Sequence, residues 1–326
     1  MNGRYTYERF RSMEDGRGIM ENRKFSIFDA IGNTPLIELR NINRNPRISI
    51  LGKLEGSNPG GSVKDRPAYY MINQAEESGE LTKEKTIAEP TSGNMGIALA
   101  VIGAAKGYLV KLTMPECVST ERQKVLLALG ADVMLTPAEE GTDGAIRVAH
   151  QLVNEEPGKY YMPNQFENEN NFLAHYETTG PEIFSQTQGE IDVFVAGMGT
   201  TGTLMGVGQY LREKKPRVVI AAVEPTEGHT IQGLKNMNES IVPKIYRPDI
   251  WDEKIVIEDD EAFETTRQLA TKEGLFLGIS SGAAVAGALR VAKNMDRGTI
   301  VVILPDRGDR YLSTTLFRSF CAKCPP

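Results

Sequence analysis

Val193-Phe194-Val195-Ala196-Gly197-Met198-Gly199-Thr200-Thr201-Gly202-Thr203 carries the reading of the fold. Four consecutive apolar residues form a short buried run that reads as a strand. Three glycines let the chain turn, and helical spacing then continues from Thr203 to Lys214. The same order recurs on both sides of this stretch. Strands are expected at Ile48–Leu54, Thr86–Ala88, Leu109–Met114, Asp132–Leu135, Val218–Val223 and Thr299–Leu304. Helices are expected at Val63–Ser78, Asn94–Lys106, Thr120–Leu129, Asp143–Asn154, Ala262–Lys272 and Ala283–Asn294. Such alternation predicts an α/β protein with mostly parallel sheets flanked by helices on both faces. Tyr161–Thr179, rich in Asn and aromatic residues, interrupts the pattern, and the boundary between two α/β domains is expected there.

Composition narrows the class. The chain has 326 residues, 37 Lys+Arg against 43 Asp+Glu, a net charge of −6 and a pI near 5.4. That length fits one large or two ordinary domains of roughly 100–200 residues each, and needs no disulfide or metal to hold a core. An acidic chain lacks the basic face that releases counterions from nucleic acid, so no nucleic-acid partner is expected. Cys117 stands alone, and Cys321 and Cys324 form a C-x-x-C beside Pro325 and Pro326. Three Cys and three His offer neither a disulfide framework nor a metal site. No secretory signal is visible, and Ile97–Ala105 falls far short of the ~18 apolar residues of a membrane span. A cytoplasmic protein without a membrane partner is expected, with a charged N-terminal arm over residues 1–24.

Four segments could carry chemistry. In Asn58-Pro59-Gly60-Gly61-Ser62-Val63-Lys64-Asp65-Arg66 a glycine turn leads into a helix, with Ser62 expected as its N-cap. Lys64 then falls in the first turn, where the helix dipole lowers its pKa and suits it to Schiff-base chemistry. In isolation, Lys64 reads first as half of a surface Lys–Asp pair. Glu89-Pro90-Thr91-Ser92-Gly93-Asn94-Met95-Gly96 places hydroxyls, an amide and free N–H groups at a helix start. This is a carboxylate or phosphate site, or simply a cap and turn. Gly278-Ile279-Ser280-Ser281-Gly282 is a further turn before a helix of small residues.

The fourth segment, Gly197 to Thr203, matches G-x-G-x-x-G, and Glu224 at the end of the next strand stands 22 residues past Gly202. A dinucleotide fingerprint has an acidic residue about 20 residues on, so an NAD-binding oxidoreductase is one reading. Several βα units precede this one, whereas the fingerprint opens its domain. The two threonines also suit a terminal phosphate monoester.

Together, in this order and spacing, the four segments resemble the cysteine synthase family (O-acetylserine sulfhydrylases), pyridoxal-phosphate enzymes of fold type II. The likeness runs from Ile31-Gly32-Asn33-Thr34-Pro35-Leu36 to Tyr311-Leu312-Ser313-Thr314. Asp306-Arg307-Gly308-Asp309-Arg310-Tyr311 and Ala174-His175-Tyr176-Glu177-Thr178-Thr179-Gly180-Pro181-Glu182 look most like the B-type isozyme. The resemblance implies a tryptophan-synthase-β-like architecture: an N-terminal domain over 25–165, with 36–57 crossing to the other domain, and a C-terminal domain over 166–326. The active site would lie in the cleft between them.

The resemblance also assigns roles. Lys64 would carry pyridoxal 5'-phosphate as an internal aldimine and serve as the catalytic base. Gly199, Thr200, Thr201, Gly202 and Thr203 would cradle the phosphate, Asn94 the ring 3′-oxygen and Ser280 the ring nitrogen. Thr91, Ser92, Gly93 and Gln165 would hold the amino-acid carboxylate. Met95 stands where the family loop has a second Thr. Lys235 stands where B-type relatives often carry an Arg, and would meet a phosphate leaving group, thiosulfate or nothing. The implied reaction makes L-cysteine from O-acetyl-L-serine or O-phospho-L-serine, with sulfide or thiosulfate, through an aminoacrylate. A cystathionine-forming enzyme, a serine dehydratase, a siderophore-precursor synthase and a non-catalytic module are the alternatives. A homodimer, with serine acetyltransferase as a further partner, is implied as well. A site handling anions throughout calls for a locally positive cleft in an acidic protein.

Overall fold

A computed structural model describes residues 25–91 and 93–317. The expected N-terminal arm, Ser92 and the Cys321/Cys324 tail lie outside the described residues. In chain order the elements are β1 (Leu36–Glu38), β2 (Ile48–Leu54), α1 (Asp65–Ser78), β3 (Thr86–Pro90), α2 (Asn94–Lys106), β4 (Val110–Pro115), α3 (Thr120–Ala128), β5 (Asp132–Thr136), α4 (Gly141–Glu155) and β6 (Tyr160–Tyr161). There follow α5 (Glu169–Ala174), α6 (Gly180–Gln186), β7 (Val193–Gly197), α7 (Gly202–Lys214), β8 (Val219–Pro225), β9 (Glu253–Ile257), α8 (Asp259–Glu273), α9 (Ile279–Lys293) and β10 (Gly298–Leu304).

Two sheets result. One has the order β1-β2-β10-β7-β8-β9 and is parallel except for β1, which runs antiparallel to β2. The other, β5-β4-β3-β6, is wholly parallel. β2 pairs with β10 from Ile48↔Gly298 to Leu54↔Leu304, so strands far apart in sequence lie side by side.

The apolar runs explain why these strands are central. Successive strand residues face opposite sides, and here both sides are covered. Val193, Val195, Ile300, Val302 and Leu304 pack into one core with α8 and α9, while Phe194, Ala196, Val301 and Ile303 pack into another with α7. A third core joins α1, α2 and the four-stranded sheet through Met71, Ile72, Leu99 and Leu112.

The alternation pattern left out β1, β6, β9, α5 and α6. β1 and β6 are three and two residues long, and in β9 Lys254 and Val256 stay exposed at the sheet edge. The Asn-rich interruption contains α5, capped by Asn168 Oδ1 accepting from Asn170 N at 3.0 Å. A π turn at His175–Thr179 then runs into α6. α9 begins at Ile279, four residues earlier than expected, so Ser280 lies in its first turn with Gly278 as N-cap.

Candidate active site

Parallel strands deliver their carboxyl ends to one side, where ligands bind in α/β folds. The ends of β3, β7 and β10 there open on a cavity of about 680 Å³. Lys64, Thr91, Asn94, Met95, Gln165, Gly199, Thr200, Thr201, Thr203, Lys235 and Ser280 all line it. Gly93 and Gly202 stand beside lining residues in the same two loops and are packed too tightly for a side chain. A Cβ on Gly93 would run into the Arg122 side chain, and one on Gly202 into Asn171 Oδ1.

Lys64 corrects the local reading. α1 starts at Asp65, so Lys64 is the N-cap residue and Ser62 is not. Ser62 instead bridges to Asp306 and accepts the Lys64 N–H at 3.2 Å. Burial pulls the Lys64 pKa down to about 8. Its ammonium donates to Thr200 Oγ1 at 3.2 Å. Among the described residues no carboxylate pairs with it, whereas Lys53 is committed to Glu182 at 2.7 Å and Lys235 to Asp143 at 3.6 Å. The expected surface partner, Asp65, is buried and turned to the Gly60 and Ser62 N–H groups; burial raises its pKa to about 6.

The loop from Gly197 to Thr201 brings the N-terminus of α7 to the cavity. Thr201 holds φ +71°, unusual for a β-branched residue. Its buried Oγ1 has no partner among the described residues. A strained residue with an orphaned hydroxyl at a helix N-terminus fits a phosphate that supplies the missing acceptors. Gly199 is needed for close approach, because a Cβ there would sit 2.6 Å from the Gly233 carbonyl oxygen.

At the other wall, Thr91 Oγ1 accepts from Gly93 N at 2.9 Å and Gly96 N at 3.1 Å, so the hydroxyl also shapes the start of α2. Both acceptor positions are thus filled, which leaves its O–H to give. Gln165 donates to the Pro90 carbonyl at 3.1 Å. Met95 is buried in the α2 core as well as lining the cavity. Ser280 Oγ has no partner among the described residues and borders the Gly233 turn.

The cleft is less uniformly positive than anion handling alone requires. Glu139, Glu140 and Asp143 line it beside Lys235, whose ammonium also stands 5.0 Å from the Phe166 ring. Desolvation lowers the Lys235 pKa, and Asp143 partly offsets this. Glu224, required by the dinucleotide reading, does not line the cavity. It accepts Met237 N at 2.9 Å and pairs with Lys254 at 2.8 Å.

Several site residues escaped the sequence reading. Arg122 is buried on α3, stacks on Tyr311 at 4.5 Å and donates to Gln232. Asn171 bridges Gln165 O and Thr200 Oγ1 at 2.8 and 3.0 Å. His175, held neutral by burial, meets Thr203 Oγ1 at 3.2 Å. Glu89, pushed up to about 7 by burial, accepts the Asn164 and Gln165 N–H groups and so sets the Gln165 turn. Their partners lie as far away as Tyr311 is from Arg122, and no local pattern marks them.

A desolvated lysine facing a loop shaped for phosphate fits a site in which the lysine amine holds a phosphorylated carbonyl cofactor. The pyridoxal-phosphate dependent enzyme family matches residues 27–306, and the chain belongs to it. Within that family it stands among the cysteine synthases of the B type. It is 46% identical over 292 residues to cysteine synthase B of Pseudomonas aeruginosa, covering 90% of this chain and 97% of that protein. The Escherichia coli cysteine synthase B is 47% identical over 287 residues, covering 88% and 94%. The crystal structure of the Entamoeba histolytica cysteine synthase superposes with a TM-score of 0.84 at 40% identity, covering 93% and 94% of the two chains. The O-ureido-L-serine synthase structure has the same TM-score at 42% identity, covering 90% and 95%. The cofactor is pyridoxal phosphate, and the fold is the type II fold of those enzymes.

Proposed function

We propose that this site makes L-cysteine from O-acetyl-L-serine and sulfide by replacement at the β carbon. The observation that carries the reading is Lys64: a desolvated amine with pKa about 8, lining the cavity, free of any carboxylate partner among the described residues, and 3.2 Å from the phosphate loop. Lys64 would hold the cofactor covalently, then take the α proton of the donor and later return it. When bound, pyridoxal phosphate delocalises the charge left on the α carbon. Gly199 to Thr203 and the α7 N-terminus would hold its phosphate, Asn94 its ring oxygen and Ser280 its ring nitrogen. Serine is a weak acid there, which favours elimination over transamination.

Thr91, Ser92, Gly93 and Gln165 would hold the donor carboxylate, with Met95 contributing its backbone N–H and an apolar wall. O-acetylserine is favoured over O-phosphoserine because Lys235 already has Asp143 as a partner, and Glu139 and Glu140 line the same cavity. We further propose a symmetric homodimer, a cytoplasmic location and serine acetyltransferase as a partner. Among the described residues no helix is long and apolar enough to cross a membrane. Lys64→Ala tests the assignment: the variant is expected to fold, to lose the yellow colour and to lose turnover. Retention of either would refute it.

A further inference from the structure

Asn94 is the first residue of α2, yet its carboxamide is oriented by groups more than 200 residues away. Nδ2 donates to Asp306 Oδ2 at 2.7 Å, and Arg310 Nη1 donates to Oδ1. The chemistry fixes which end is which, because a guanidinium can only donate and a carboxylate only accept. Both holders are themselves held. Asp306 is fully buried just past β10, accepts the Tyr311 hydroxyl at 2.7 Å and has Arg122 at 3.9 Å. The packing around it is cut to admit the carboxylate, since a Cβ on Gly278 would overlap Asp306 Oδ1. Arg310 reaches with its other nitrogen to the Gly60 carbonyl, in the turn that leads to Lys64. One chain of hydrogen bonds therefore joins the lysine turn, the start of α2 and the end of β10.

A carboxamide has two N–H donors. One is used on Asp306; the other is left at a residue that lines the cavity. Arg310 draws electron density from Oδ1, which strengthens the remaining donor. We propose that Asp306 and Arg310 are positioning residues for the cofactor. They lock Asn94 in one orientation, so that its second N–H is presented to the ring oxygen of pyridoxal phosphate. This rests on the cofactor reading above. It gives a task to the Asp306-Arg307-Gly308-Asp309-Arg310-Tyr311 run, which the roles assigned so far leave unused.

The test is cofactor binding rather than turnover. Wild type, Arg310→Gln, Asp306→Asn, Asn94→Ala and the Asn94→Ala/Arg310→Gln double variant are stripped of cofactor and titrated with pyridoxal phosphate. Far-ultraviolet circular dichroism confirms that each is folded. The dissociation constant and the position of the visible band are read for each. Losing one oriented hydrogen bond should weaken binding roughly 3- to 10-fold and move the band in Arg310→Gln. The double variant should bind no more weakly than Asn94→Ala, within about twofold, because the arginine acts through the asparagine. If Asp306→Asn does not fold, the arginine arm decides alone. Wild-type affinity and band in Arg310→Gln would overturn the inference, as would losses that multiply in the double variant. Failure of wild type to bind the cofactor would overturn the reading beneath it instead.

Discussion

Replacing Asp143 by Asn should change which activated serine the enzyme accepts. Asp143 Oδ1 stands 3.6 Å from Lys235 Nζ on the cavity wall. Two unit charges about 4 Å apart interact by roughly 1 kcal/mol in water and roughly 4 kcal/mol in a protein-like medium. Asp143 is 31% exposed, which puts the pair toward the lower figure. A phosphorylated donor reaching Lys235 would meet repulsion from Asp143 of about this size and would compete with it for the ammonium. Asp143→Asn removes both effects, so it should favour O-phosphoserine by about 1–2 kcal/mol, or about 5- to 30-fold in kcat/KM. O-acetylserine, whose leaving group carries no charge before it departs, should change by less than about twofold. The assay is initial-rate cysteine formation from each donor with sulfide, at one ionic strength because the effect is partly screened. Equal changes for both donors, or none for O-phosphoserine, would refute the argument that this pair sets donor charge preference.

Three further outcomes follow from the geometry. Gly199→Ala forces a methyl against the Gly233 carbonyl. It should lower cofactor affinity at least about tenfold and cost about 1–3 kcal/mol in a denaturant melt. Arg66→Met strips the guanidinium from Glu55 and Glu182, both 2.7 Å away; Glu182 keeps Lys53, but the fully buried Glu55 carboxylate loses its ion-pair partner, which should cost about 3–5 kcal/mol. Glu89 keeps its proton to about 7 when folded, against an ordinary 4.5. Between those values the native state binds more protons than the unfolded one, so this group's contribution to stability falls as pH rises. His175, held neutral by burial, acts in the opposite sense, so the readout is a difference. Glu89→Gln should gain on the order of 3 kcal/mol over wild type between pH 5 and 8; a pH-independent difference would contradict this.

Strand–helix alternation was legible because β7 and β10 hold continuous apolar runs, Val193–Ala196 and Ile300–Leu304, and the other strands are short apolar stretches followed by helical spacing. Ile48–Leu54 and Asn94–Lys106 appear with the bounds their residues imply. β9 was missed: its apolar run is three residues, Ile255-Val256-Ile257, set between Lys254 and Glu258. The π turn at His175–Thr179 was hidden for a different reason: it is closed by the backbone bond from Gly180 N–H to the His175 carbonyl, which leaves no mark on the apolar spacing. The site divides in the same way. Lys64 read alone was a better surface lysine than a catalytic one, and only four motifs in register singled it out. Burial, which lowers its pKa, depends on how the sheets enclose the cavity and could not be read from the loop. Asn94 could be picked from its loop, but Asp306 and Arg310, which orient it, lie 212 and 216 residues further on.

The chemistry proposed for this site depends first on Lys64 carrying the cofactor. Reduction of the purified yellow protein with borohydride converts the lysine–cofactor linkage into a stable secondary amine, and peptide mass mapping then locates it. The pyridoxyl mass is predicted on the peptide containing Lys64 and on no other. A label on the peptide of Lys53 or Lys235, or no label on a protein that retains its colour, would contradict the account.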